Sequence, residues 1–82
     1  MRVTVKLFAL LREMADRSEM VLEVPDEISC GEVLLRLRDE IPNLLPILER
    51  CFVAVNGRYV DDKSMHLSTR DEVAILPPVS GG

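Results

Sequence analysis

Tryptophan is absent from this 82-residue chain, and Phe8, Phe52 and Tyr59 are its only aromatic side chains. The core must therefore be built mainly from Leu, Val and Ile. Histidine occurs once, at His66, and cysteine twice, at Cys30 and Cys51. So few ligands, so far apart, form no recognisable zinc site or redox motif, and both thiols are expected to be reduced. Four Gly and five Pro exclude a collagen-like or compositionally disordered chain. No apolar run approaches the ~20 residues needed to span a bilayer, and Met1 leads directly into Arg2-Val3-Thr4-Val5 without an apolar signal segment. The expected location is cytoplasmic, with no membrane partner.

Basic residues are also in deficit, 10 Lys+Arg against 14 Asp+Glu, for a net charge of -4. Nucleic acids are held by clustered Lys and Arg, whereas here Arg36 and Arg38 are interspersed with Glu32, Asp39 and Glu40. A basic protein partner suits this balance better. A chain of this length forms one domain and hides only about 60% of the surface it would expose unfolded. That leaves hardly any room for an enclosed catalytic pocket and disfavours an enzyme acting alone.

Val3, Val5 and Leu7 alternate with Arg2, Thr4 and Lys6, which predicts a first strand over 2–8. Residues 9–15 are good helix formers and predict a helical turn or two, broken at Asp16-Arg17-Ser18. A second strand, carrying Met20, Leu22 and Val24, ends at Pro25. Ser29 and Glu32 have the spacing of a reciprocal capping box, with Ile28 and Val33 as a hydrophobic staple. Behind it, Val33, Leu34, Leu37 and Ile41 recur at helical spacing and predict the main helix over 30–41, stopped by Pro42. Glu32, Arg36 and Glu40 stand four apart on its wet side. A short turn at 44–48, a central strand at 51–55, a tight Asn56-Gly57 turn into 58–60 and a last strand at 72–76 complete the pattern. Met65 and Leu67 are the expected apolar anchors of the loop between. The fold class is α+β, a single domain over 1–76 with a mixed sheet of four to five strands packed on one main helix.

After Leu76 the chain reads Pro77-Pro78-Val79-Ser80-Gly81-Gly82. Two prolines cannot donate to a ladder and favour a stiff extended backbone, so 77–82 is expected to project as a flexible tail of about 20 Å. Its two glycines suit activation of a terminal carboxylate: without a Cβ, Gly82 presents that carbon with least obstruction, and Gly81 lets the chain enter a narrow slot. A merely frayed end is the plain alternative, and it leaves the stiff Pro77-Pro78 base unexplained.

Phe8-Ala9-Leu10-Leu11-Arg12-Glu13, Ala54-Val55-Asn56 and, above all, the run from Asp71 through Pro77-Pro78-Val79-Ser80-Gly81-Gly82 resemble the small-subunit family of molybdopterin synthase. Those proteins are ubiquitin-like sulfur carriers of the β-grasp fold. The resemblance implies that an ATP-using activating enzyme adenylates Gly82 and that a persulfide-bearing sulfurtransferase converts it to a thiocarboxylate. The tail then delivers sulfur to cyclic pyranopterin monophosphate in the large subunit, in an assembly of two small and two large subunits. It further implies partner contacts at Phe8, Arg12, Pro77, Pro78, Val79 and Ser80. By the same resemblance Gly82, with Gly81, is the expected reactive site, and the chain itself is expected to bind no cofactor or metal. A thiamine-type sulfur carrier, a ubiquitin-like protein modifier and an interaction module with an idle tail are the competing readings.

Other residues carry less. Cys30, at a helix start, is a conceivable persulfide site but lacks a companion Cys or patterned His, and Cys51 reads as a small buried hydrophobe. His66 reads as a loop residue. Phe8 fits either the core or a partner-facing edge, and Arg12 fits either a partner contact or a solvated helix position. Arg58 and Arg70 could pair with partner carboxylates, a kind of contact usually of small energy.

Overall fold

The computed structural model describes residues 1–78 and opens on strand β1, Arg2–Leu7, in which Val3, Val5 and Leu7 are buried. Two-residue periodicity produces that arrangement, because successive side chains of a strand leave on opposite faces. β1 stops one residue short of the sequence expectation. Past Phe8, Ala9 turns the chain with φ 50° and ψ -123°, a conformation costing a residue with a Cβ about 1–3 kcal/mol. Helix α1, Leu10–Ala15, then buries Leu11 and Ala15 and closes on Asp16 in the left-handed region. Strand β2, Glu19–Glu23, returns antiparallel to β1.

The main helix α2, Cys30–Glu40, buries Cys30, Val33 and Leu37 along one stripe. The N–H groups of its first three residues, which have no partner within the helical ladder, are all satisfied. Cys30 donates to the Met65 carbonyl, Gly31 to that of Lys63 and Glu32 to Ser29 Oγ at 3.2 Å, and the helical ladder begins with Val33 N–H to the Ser29 carbonyl. The expected capping box is half formed. The Glu32 carboxylate accepts from Ser29 Oγ at 3.1 Å and not from the Ser29 amide, so the acid closes on the hydroxyl already serving as cap. α2 ends at Glu40, because Ile41 precedes Pro42 and is driven to φ -131°. A 3-10 turn, Pro42–Leu44, and a short helix α3, Leu45–Leu48, follow and bury Leu44 and Leu48.

Strand β3, Phe52–Val55, runs into the Asn56-Gly57 turn, whose φ values of 51° and 83° are those of a primed hairpin turn, and β4 is only Arg58–Tyr59. Strand β5, Glu72–Leu76, lies between β1, parallel to it, and β3, antiparallel to it. The sheet order is β2-β1-β5-β3-β4. This is the ubiquitin-like β-grasp arrangement, a mixed five-stranded sheet closed over one dominant helix. Asn56 fixes where β5 begins. Its Nδ2 donates to Asp71 Oδ1 at 2.9 Å, its Oδ1 accepts from Glu72 N–H at 3.0 Å, and Asp71 Oδ2 accepts from Ser68 N–H at 2.7 Å. The hairpin thereby sets the register of the strand that leads to Pro77-Pro78.

The core is aliphatic: Val3, Val5, Leu11, Val33, Leu37, Leu44, Val73 and Ile75 are fully buried, and among the described residues no charged or polar one joins them. Leu67 anchors its loop at 3% exposure, but Met65 stays 38% exposed and contributes its backbone carbonyl instead. Among the described residues, no helix is long and apolar enough to cross a membrane.

Candidate functional site

The side of the sheet turned away from α2 collects what the core left out. In β5 the buried residues are Val73 and Ile75, so Ala74 and Leu76 point outwards, and register pairs them with Ala54 and Phe52 of β3. Tyr59 pairs with Ala54 from β4. Phe52 and Tyr59 meet edge to face, with centroids 6.1 Å apart and planes at 75°, and they are 50% and 71% exposed. Phe8 follows directly on Leu7, the residue paired with Ile75, and is 42% exposed, so it is a surface residue and not part of the core. All three aromatics of the chain are therefore spent on the surface. Phe52 and Tyr59, in contact with each other and beside Leu76, make a contiguous exposed apolar patch of the kind that marks a protein–protein contact.

This apolar strip lies where β5 gives way to Pro77-Pro78. Pro77 is partly buried and Pro78 exposed, directly beyond Leu76. Val79, Ser80, Gly81 and Gly82 lie outside the described residues. Lys6 flanks the strip on β1, opposite Ala74, with its Nζ 3.5 Å from Glu72. Arg12 is exposed on α1 and has no ion-pair partner among the described residues. Arg58 lines an open cleft of 730 Å³ with Tyr59, Asp61 and Asp71, while Arg70 stands exposed at φ 75°. A second open cleft, of 310 Å³, runs between Phe52, Tyr59 and Asp61.

The remaining candidates are not brought to this strip. Cys30 is fully buried, and burial pushes its thiol up against the smaller opposing pull of Lys63. A thiol held protonated and out of reach is a poor sulfur acceptor. Cys51 is likewise buried, its thiol pushed up by burial with Lys63 opposing, and its Sγ donates to the Ile47 carbonyl at 3.1 Å. His66 is exposed and pairs by backbone with Ser29. No group of three potential metal ligands occurs among the described residues.

Phe52, Tyr59, Leu76 and Ala74 were not singled out as site residues by sequence reasoning. The signal was available: once Val53 and Val55 face inwards, Phe52 and Ala54 must face out. Apolar residues on both sides of β3 read as a buried central strand and hid that alternation.

The sequence profile of the ThiS family matches residues 5–82. The molybdopterin synthase sulfur carrier subunit of Chlamydomonas reinhardtii is 37% identical over 84 aligned positions, covering 100% of both chains. Among solved structures, the small archaeal modifier protein 1 of Methanosarcina acetivorans matches with a TM-score of 0.84 at 33% identity, covering 99% of this chain and 96% of that one. SAMP1 from Haloferax volcanii matches with a TM-score of 0.88 at 28% identity, covering 100% of both chains.

Proposed function

The chain belongs to the ThiS family, and from that premise we propose that it is the sulfur-carrying small subunit of a molybdopterin synthase, reacting through the carboxyl carbon of Gly82. It is the reagent, and a large catalytic partner holds the substrate. In this reading an ATP-dependent activating enzyme joins the Gly82 carboxylate to AMP with loss of pyrophosphate. The terminal sulfur of a donor persulfide attacks the acyl carbon, and AMP leaves. A further thiol cleaves the resulting acyl disulfide and frees the thiocarboxylate, which is a good nucleophile at neutral pH. The large subunit receives the tail, and sulfur passes to cyclic pyranopterin monophosphate, twice per dithiolene. Two small and two large subunits form the assembly, and the reaction belongs in the cytoplasm, where ATP is at hand.

The observation that carries the reading is the position of β5. A strand in the middle of the sheet, pinned by β1 and β3, hands the chain straight to Pro77-Pro78 beside Phe52 and Leu76. A rigid body with an apolar docking strip at the root of its reactive segment needs no acid or base of its own. Docking orients the tail, and Gly81 and Gly82 thread the partner's slot. Phe8, Arg12, Pro77, Pro78, Val79 and Ser80 are assigned to that contact, with Phe52, Tyr59 and Leu76 added to it.

Reconstitution with a large subunit and the pyranopterin substrate tests the proposal. Thiocarboxylated chain should support dithiolene formation and chain lacking Gly82 should not; equal turnover by both would refute it. The likeness to the two archaeal modifier proteins favours one second reading, conjugation of Gly82 to lysine amines. Ladders of higher mass on a denaturing gel, formed with ATP and the activating enzyme alone, would distinguish it.

A further inference from the structure

The opposite edge of the sheet carries a feature that sulfur transfer does not use. Met1 and Val24 exchange both backbone bonds, the ammonium donating to Val24 O at 2.7 Å and Val24 N–H to Met1 O at 2.9 Å, and Leu7 N–H donates to Ser18 O at 2.9 Å. In an antiparallel pair such bonds recur at every second residue. Hence Met20 and Leu22 bond to β1, and the N–H and C=O groups of Glu19, Val21 and Glu23 point away from it. β2 is a terminal strand, and no backbone partner of these three residues occurs among the described residues. The side chains of Glu19, Val21 and Glu23 share the outer face, where Val21 is 56% exposed. Behind the edge runs an open groove of 540 Å³ between β2 and α2, lined by Arg17, Met20, Leu22, Arg36, Asp39 and Glu40.

An uncovered strand edge is a template for another strand, and charge decides which one. Two copies of this chain pairing antiparallel about Val21 would set Glu19 directly against the Glu23 of the other copy, and Glu23 against its Glu19. Like charges in directly opposed positions are destabilising, so the edge rejects its own kind. A basic strand meets the reverse situation. Glu19 has no ion-pair partner among the described residues, and Glu23 shares only an exposed pair with Arg2 at 3.1 Å.

We propose that β2 is a docking edge for an extended basic segment of a partner protein, which adds to the sheet as a sixth, antiparallel strand. The segment places basic residues opposite Glu19 and Glu23 and an apolar residue opposite Val21. The two residues between them turn into the groove over Met20 and Leu22, where short polar side chains fit among Arg17, Arg36, Asp39 and Glu40. The edge is separate from the aromatic strip and leaves the tail free, so a partner can hold the carrier here during reaction at Gly82.

The probe is a capped peptide with the core lysine–threonine–valine–threonine–lysine, titrated into the full chain and followed by amide NMR. Saturation should protect the Glu19, Val21 and Glu23 amides from hydrogen exchange. N-methylation of the peptide's central valine, which removes a donor without touching the protein, should weaken binding at least tenfold. Glu19→Lys with Glu23→Lys should reverse the preference by at least tenfold, toward a peptide with glutamate in place of lysine. Val21→Pro, which removes an outward-facing N–H, should abolish binding. Absence of binding at millimolar peptide, equal binding of the N-methylated peptide, or shifts centred on Phe52 and Tyr59 would each overturn the proposal. No activating enzyme or sulfur donor is involved, so this result and the fate of Gly82 are scored independently.

Discussion

Tyr59→Ala separates docking from folding. Tyr59 is 71% exposed, and its defined aromatic partner is Phe52. An edge-to-face pair is worth about 0.5–1.5 kcal/mol, and half-exposed rings on a two-residue edge strand fall at the lower end of that range. With about 4–8 °C of melting temperature per kcal/mol in a domain of this size, the variant should melt within a few degrees of the parent. Docking is another matter. Truncating an aromatic at the centre of an interface costs about 2 kcal/mol or more, which is roughly a 30-fold loss in affinity for the large subunit. Leu35→Ala is the matched control: Leu35 is 51% exposed but lies on α2, on the other side of the domain, beside Leu45. Its affinity should stay within about twofold of the parent, since surface substitutions away from a contact change little. Calorimetric titration of the large subunit with each variant, alongside thermal melts, provides the comparison. If Tyr59→Ala bound like the parent and Leu35→Ala did not, the docking face would be the helical one.

Leu37 is fully buried, so Leu37→Ala should cost about 2–5 kcal/mol by denaturant unfolding, a large part of the ~4–12 kcal/mol expected of an 82-residue domain. Removal of Gly82, by contrast, should leave the melt unchanged. Ala9→Gly should stabilise the chain: relief of about 1–3 kcal/mol of strain at φ 50° exceeds the ~0.5–1 kcal/mol glycine penalty, and a lower melting temperature would show Ala9 to be unstrained. Both cysteines should resist iodoacetamide at pH 8 in the native chain and react in denaturant, because burial hides Cys30 and Cys51 and pushes their thiols up. Rapid native alkylation of Cys30 would reopen it as a sulfur acceptor.

How far the structure could be read from the sequence depended on how local each determinant is. Period two in β1, the Ser29 cap, the proline stop after Ile41 and the Asn56-Gly57 turn are local rules, and each appears where those residues stand. The sheet order is not local. That β5 inserts between β1 and β3 depends on contacts some 70 and 20 residues apart along the chain, and it entered the sequence reading only through family resemblance. The candidate site divides in the same way. Gly81 and Gly82 stand out because the chemistry of an unobstructed carboxyl is visible in two residues. Phe52, Tyr59 and Leu76 become one surface only when β3, β4 and β5 are laid side by side. Phe8 needed the structure for another reason: it stands just past the end of β1, where alternation no longer binds, and it is found 42% exposed beside the buried Leu7.

The central claim is covalent and can be weighed. Full-length chain incubated with the activating enzyme, ATP and a persulfide donor should gain, in its intact mass, the difference between one sulfur and one oxygen. Fragmentation should locate that gain at Gly82, and chain lacking Gly82 should gain nothing. An unchanged mass for the full-length chain, or added sulfur located on Cys30 or Cys51, would contradict the account.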